Sequence, residues 1–154
     1  MIKILFVCHG NICRSAMAEA MMKDLVRREG TQHLFRIDSA ATSREEIGNR
    51  MYPPAQRKLT QKGVPVGEHR ARQMTRQDYE DFDLLIGMDE ENMYYMNRIA
   101  GGDPDGKIHR LLEYAGISRE IADPWYTDDF ESTYRDLETG LSALYQSVMK
   151  HGLA

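Results

Sequence analysis

The first apolar stretch, Ile2-Lys3-Ile4-Leu5-Phe6-Val7, is nearly unbroken and stops abruptly at Cys8-His9-Gly10-Asn11. A run of this kind predicts a strand covered on both faces, as in a parallel sheet, because a strand with one wet face would alternate. Beyond the polar break the period changes. Ala18, Met21, Met22, Leu25 and Val26 recur at helical spacing, which predicts a helix over 16–28 with Gly30 as its stop. Residues 34–38 form a second strand candidate and residues 84–88 a third, buried one. Pro53-Pro54 before and Gly63 after frame a short helix over 55–62. Thr75, with Asp78 three residues on, caps another. Asp89 caps a helix running to about Ala100, and Gly101-Gly102-Asp103-Pro104-Asp105-Gly106 is a loop. Residues 108–112 are a candidate fourth strand. Phe130, Tyr134, Leu137, Leu141, Leu144 and Val148 then make one apolar stripe along a final helix, with Asp128 and Glu131 at capping-box spacing.

Strands alternating with helices around a buried first strand predict a doubly wound α/β sheet in three layers. No repeat, low-complexity tract or linker interrupts the pattern, so residues 1–154 read as a single domain. With 20 Lys+Arg against 24 Asp+Glu, the net charge is −4 and spread along the chain, leaving no basic nucleic-acid footprint. No apolar run approaches the roughly 20 residues of a membrane span. Two cysteines make no disulfide framework, which points to a reducing, cytoplasmic setting.

Ligands of open α/β sheets bind beyond the carboxyl ends of the strands. Cys8-His9-Gly10-Asn11-Ile12-Cys13-Arg14-Ser15 stands there, directly before a helix N-terminus. The Cys-x5-Arg spacing is weak alone in a chain with 14 arginines; its position gives it meaning. Such a segment can curl until successive backbone N–H groups point inward as an anion nest. Gly10 permits a sharp turn and Asn11 tolerates a left-handed backbone. Arg14 offers a planar fork to two phosphate oxygens. The thiol of Cys8 would lie beneath the anion, where the same dipole and N–H groups favour the thiolate. A thiolate facing bound phosphate is placed to attack phosphorus and form a phosphocysteine. Ser15 is either a helix cap or a stabiliser of the departing thiolate. Without these neighbours Cys8 would read as an inert buried thiol. Asn11 is equally a plain turn residue, and Cys13 either loop packing or a redox partner of Cys8. A metal is not expected, since Cys8, His9 and Cys13 crowd one loop without a fourth ligand.

The stretch Ile4-Leu5-Phe6-Val7-Cys8-His9-Gly10-Asn11-Ile12-Cys13-Arg14-Ser15 resembles the signature of the low-molecular-weight protein tyrosine phosphatases. Four further stretches resemble that family in order: Ile37-Asp38-Ser39-Ala40-Ala41-Thr42, His69-Arg70-Ala71-Arg72-Gln73, Met88-Asp89-Glu90 and Asp123-Pro124-Trp125-Tyr126. The resemblance implies a four-stranded parallel sheet of flavodoxin-like, doubly wound topology. It also implies a phosphatase acting on phosphotyrosine proteins without metal or cofactor. On it, Cys8 resembles the nucleophile, Arg14 the phosphate clamp and Asp123 the general acid. Asn11, Ser15, Ser39 and His69 resemble the polar network that shapes the loop. Cys13 resembles a second cysteine able to form a reversible disulfide with the nucleophile, and Trp125 with Tyr126 the aromatic pair flanking the substrate. Chemistry makes Asp123 sensible: Pro124 biases it toward an extended backbone, and a carboxyl against an apolar wall near a phosphate dianion stays protonated enough to donate. Asp89 is the second candidate for the acid, and otherwise a helix cap tied to the loop.

Two positions depart from the family pattern. Ala16 replaces a proline after Arg-Ser, at little chemical cost. Glu45 stands where many members place an aromatic rim residue, so the rim presents Glu45 and Glu46, with Arg44 beside them to offset repulsion or recruit acidic flanks. The rival activities each want something else. An arsenate reductase of this fold needs additional relay cysteines, a phosphocysteine carrier needs an intermediate that persists, and a non-catalytic phosphotyrosine-binding module needs neither nucleophile nor acid.

Overall fold

Strands β1 (Ile2–Cys8), β2 (Phe35–Ala41), β3 (Leu84–Gly87) and β4 (Ile108–Arg110) form one sheet in the computed structural model, which describes residues 1–153. All neighbours are parallel and the order is β2-β1-β3-β4. The single-domain reading extends to Ala154, outside the described residues. The period of two along each strand sorts the core into two layers. Ile4, Phe6, Cys8 and Ile86 face α1 (Arg14–Arg28), α2 (Pro53–Gln61) and α6 (Phe130–His151), meeting Met17, Leu59, Leu137 and Leu144. Leu5, Val7, Leu85 and Ile108 face the other way, toward Tyr79 of α3 (Arg76–Asp81) and Met96 of α4 (Glu90–Ala100). Because β1 is central and covered on both sides, its run had no polar alternation to show. The strand order reverses between β1 and β3, the crevice in which such sheets bind ligands.

The predicted elements recur with informative shifts. Both Thr75 and Asp78 complete their capping box, and Asp89 Oδ1 accepts the N–H of Asn92 at 2.7 Å at the start of α4. Helix α1 begins two residues earlier than the apolar period, at Arg14. Strand β2 starts at Phe35 and runs three residues beyond expectation, through Ser39, Ala40 and Ala41 in register with Phe6, Val7 and Cys8. Small residues there carry no hydrophobic signal.

Three expectations are corrected. The fourth strand ends at Arg110; Leu111–Ala115 is a 3-10 turn, wedged under α6 so closely that a Cβ on Gly140 would lie 2.5 Å from Leu111 Cγ. The cap of α6 is Asp129, whose carboxylate accepts the Ser132 N–H at 3.0 Å and O–H at 2.7 Å. Asp128 instead adopts φ 57° and closes α5 (Pro124–Thr127), a helix the apolar pattern did not predict. Freed from capping, Glu131 holds Lys58 at 3.0 Å and Lys62 at 3.1 Å; those ammonium groups lower its pKa to about 2. No helix among the described residues is long and apolar enough to cross a membrane.

Candidate active site

Cys8 is the last residue of β1, and the chain curls from it directly into α1. The curl depends on Asn11, which is fully buried at φ 60°, a left-handed conformation that costs most side chains about 1–2 kcal/mol. Gly10 is not left-handed, and a Cβ there would make only ordinary contact with the Glu46 side chain, at 3.4 Å. Among the described residues, the N–H groups of Gly10 to Cys13 donate to no protein acceptor, as an anion nest requires.

The polar network behind the loop has a readable direction. Asn11 Oδ1 accepts the N–H of Arg72 at 3.2 Å, so its amide nitrogen faces the hydroxyls, donating to Ser15 Oγ at 2.8 Å and Ser39 Oγ at 2.9 Å. Ser39 donates its own proton to Glu19 Oε1 at 2.6 Å. Ser15, already an acceptor, has its O–H free for Cys8 Sγ, 3.0 Å away, with the Ala40 carbonyl more distant at 3.5 Å, and its backbone N–H adds a contact to the sulfur at 3.4 Å. Ser15 lies inside α1 and is not its cap; the N-cap position is Cys13. His69 Nε2 donates to the carbonyl of Asn11 at 2.6 Å, pinning the strained residue from outside, with its other ring nitrogen 3.9 Å from Glu19.

Arg14 is 2% exposed yet charged. Burial opposes that charge, but Cys8, Asp89 and Asp123 outweigh it and raise the guanidinium pKa. One nitrogen donates to Asp89 Oδ2 at 2.7 Å and to the carbonyl of Ile121 at 2.9 Å; the other lies 3.4 Å from Asp123 Oδ2. Asp89 thus caps α4 with one oxygen and orients Arg14 with the other. Asp123 sits at φ −80°, ψ 113°, the extended geometry expected before Pro124, and its Oδ1 caps α5 through the Trp125 N–H at 3.0 Å.

Cys8, His9, Gly10, Ile12, Cys13 and Arg14 form the floor of a cavity of about 100 Å³. Asp123, Trp125 and Tyr126 make one wall, Glu45 and Glu46 another. Trp125 packs on Tyr52, centroids 4.8 Å apart, and is half exposed, while Tyr126 is 82% exposed. Glu45 is on the rim as expected, but it is tied to His9 Nε2 at 3.0 Å. Arg44 is not in the wall; its Nε donates to Gln73 at 3.2 Å. Burial, reinforced by the charges of Cys8 and Asp123, pushes the Cys13 thiol well up, so it is a neutral packing group in this arrangement. Ser39 and His69 meet the loop from behind rather than lining the cavity. Sequence reasoning missed Glu19, Tyr52, the Ile121 carbonyl, and Glu91, whose carboxylate lies 3.8 Å from His9 Nδ1. Only Glu19 left a signal, one helical turn after Ser15 on the same face of α1.

Residues 3–153 match the sequence family described as low molecular weight phosphotyrosine protein phosphatase. The chain is 40% identical over 152 residues to the low molecular weight protein-tyrosine-phosphatase YfkJ of Bacillus subtilis (strain 168), covering 97% of each chain. The crystal structure of YfkJ superposes with a TM-score of 0.94, covering 97% of this chain and 96% of that one at 39% identity. SP-PTP, the low molecular weight protein tyrosine phosphatase of Streptococcus pyogenes, gives 0.88 at 36% identity over 98% and 95%. The drosophila arginine phosphatase DARP gives 0.89 at 30% identity over 97% and 99%. The chain belongs to the low molecular weight phosphotyrosine protein phosphatase family, enzymes that hydrolyse phosphotyrosine.

Proposed function

We propose that the chain hydrolyses phosphotyrosine in proteins, and small aryl phosphates, through a phosphocysteine on Cys8. One observation carries this reading: Cys8 and Asp123 line the same small cavity, with the Arg14 guanidinium reaching Asp123. The phosphoryl group enters the nest of loop N–H groups and takes the Arg14 fork. The Cys8 thiolate attacks phosphorus while Asp123 gives its proton to the departing phenolic oxygen. Asp123, now ionised, takes a proton from the water that attacks the phosphocysteine. Inorganic phosphate leaves, and the thiolate re-forms against the Ser15 hydroxyl. No metal or cofactor enters this scheme. Residues 1–154 act as one catalytic domain, and its two free thiols suit a reducing, cytoplasmic compartment. Phosphate release from matched phosphotyrosine, phosphoserine and phosphoarginine peptides is the test. Phosphotyrosine should dominate, and dominance of either other peptide would overturn the assignment.

The rim and Cys13 each yield an expectation. Glu45 near an incoming dianion adds repulsion of about 1 kcal/mol at high effective dielectric, and its missing aromatic face withholds about 0.5–1.5 kcal/mol from an aryl substrate. Glu45→Trp should therefore lower KM for a small aryl phosphate several-fold, with a smaller change in kcat, the mark of uniform binding. Unchanged KM at two salt concentrations would mean that this rim does not touch small substrates. Cys13 is the proposed redox partner. After oxidation of Cys8 to the sulfenic acid, the Cys13 thiol would attack the Cys8 sulfur, forming the disulfide with loss of water. Peroxide inactivation should reverse with thiol reductant in the wild type and less completely in Cys13→Ala. Equal recovery would leave Cys13 as packing alone.

A further inference from the structure

Many carboxylates of this protein hold permanent cations: Asp24 with Arg27 and Arg28, Asp78 with Arg72, Asp136 with Arg119, Glu90 with Arg110, and, at the cavity itself, Asp89 and Asp123 with Arg14. The glutamates of the outer rim do not. Among the described residues, Glu45 and Glu91 share only the imidazole of His9 as ionic partner, at 3.0 Å from Nε2 and 3.8 Å from Nδ1. Glu46 receives only the Asn49 amide. Arg44, next to Glu45 in sequence, is turned onto Gln73. The side chains of Glu45 and Glu91 are 69% and 66% exposed, open to an arriving partner.

The ligand of the cavity is defined independently of this rim, by the N–H nest and the buried Arg14 fork, and it is an anion. Carboxylates at the mouth of an anion site oppose entry unless the substrate also carries positive charge. We propose that Glu45 and Glu91, with Glu46 in the cavity wall beside Glu45, select phosphotyrosine segments carrying lysine or arginine within two residues of the phosphotyrosine. The incoming ammonium or guanidinium takes up the carboxylates that His9 occupies in the free protein. Adjacent residues of an extended peptide are only 3.8 Å apart at Cα, so a long basic side chain reaches this rim while the aryl ring lies against Trp125 and Tyr126. The inference rests on the phosphotyrosine reading above and names the kind of sequence that surrounds the phosphate.

The test compares two phosphotyrosine peptides that differ only in lysine or glutamate flanks, together with a small aryl phosphate. For exposed pairs of this kind, kcat/KM should favour the lysine peptide by about five- to tenfold at low salt, mostly through KM. The preference should shrink at 0.5 M salt, as screened surface charges do. In the double variant Glu45→Gln/Glu91→Gln the ratio should fall close to one. A wild-type ratio near one, with the aryl phosphate still turned over, overturns the rim's role and leaves the phosphatase reading standing. A lysine preference undiminished in the double variant overturns the assignment to these residues. Failure to turn over any of the three substrates overturns the phosphotyrosine reading, and the rim's role with it.

Discussion

Cys8→Ser is expected to abolish turnover of an aryl phosphate, by about four orders of magnitude or more, equivalent to at least ~5.5 kcal/mol of barrier. Phosphate or vanadate binding should survive within a few-fold. The two results separate because the residues that bind are not the residue that attacks. The substituted side chain would keep the length of β1 and the hydrogen bond to Ser15, and would leave the N–H nest and Arg14 untouched. A hydroxyl in that place is a poor nucleophile with no adjacent base; the neighbours of Cys8 are hydrogen-bond donors, suited to holding an anion already formed. Near-normal turnover in Cys8→Ser would sink the covalent mechanism. Arg14→Lys should fail for a different reason. Arg14 must satisfy Asp89 and the Ile121 carbonyl while offering its remaining donors to phosphate, and an ammonium cannot span those partners as a planar fork does.

Asp123→Asn should lower kcat by about 10²–10⁴-fold for phosphate esters with poor leaving groups, the range of a lost general acid. Activated phenols should suffer far less, since they leave without a proton. The substitution is structurally mild: an amide oxygen can still cap Trp125, and Asp89 still holds Arg14. A leaving-group series therefore reports on the proton rather than on folding. Equal slowing of good and poor leaving groups would make Asp123 a structural residue and move the acid role to Asp89. Asp89 is the weaker candidate because it does not line the cavity that holds Cys8 and Asp123, and because it is held by Arg14 at 2.7 Å, against 3.4 Å for Asp123.

Wherever local chemistry decided, the chain could be read directly. The unbroken run before Cys8 meant a strand with two covered faces, and β1 is a central strand of the sheet. Asn11 was suited to a left-handed turn by its own side chain, and it makes one. Thr75 with Asp78, and Asp89 with Asn92, cap helices through contacts three residues apart, a distance visible in any sequence. The loop from Cys8 to Ser15 carried its anion-binding character in consecutive residues, so nucleophile and clamp were legible together.

Other features depend on residues brought together from far along the chain. Asp123 lies 109 positions from Arg14, and only the Pro124-Trp125-Tyr126 that follows distinguishes it from the other acidic residues. Ser39, Ala40 and Ala41 lack a strand's apolar signature; pairing with Phe6, Val7 and Cys8 makes them one. Glu131 had capping-box spacing from Asp128, yet the helix starts one residue later, at Phe130 with Asp129 as its cap, and Glu131 instead meets two lysines from α2 and the residue after it. Glu45 was visible as a departure from an aromatic rim, but its partner was not: His9 and Glu91 come from different parts of the chain, and only folding sets the three together. Local hydrogen bonds and periodicity are written in adjacent residues. Charge pairing across loops and the direction of a polar network exist only once the chain has closed on itself, because electrostatic interactions depend on distance in space and not on separation in sequence.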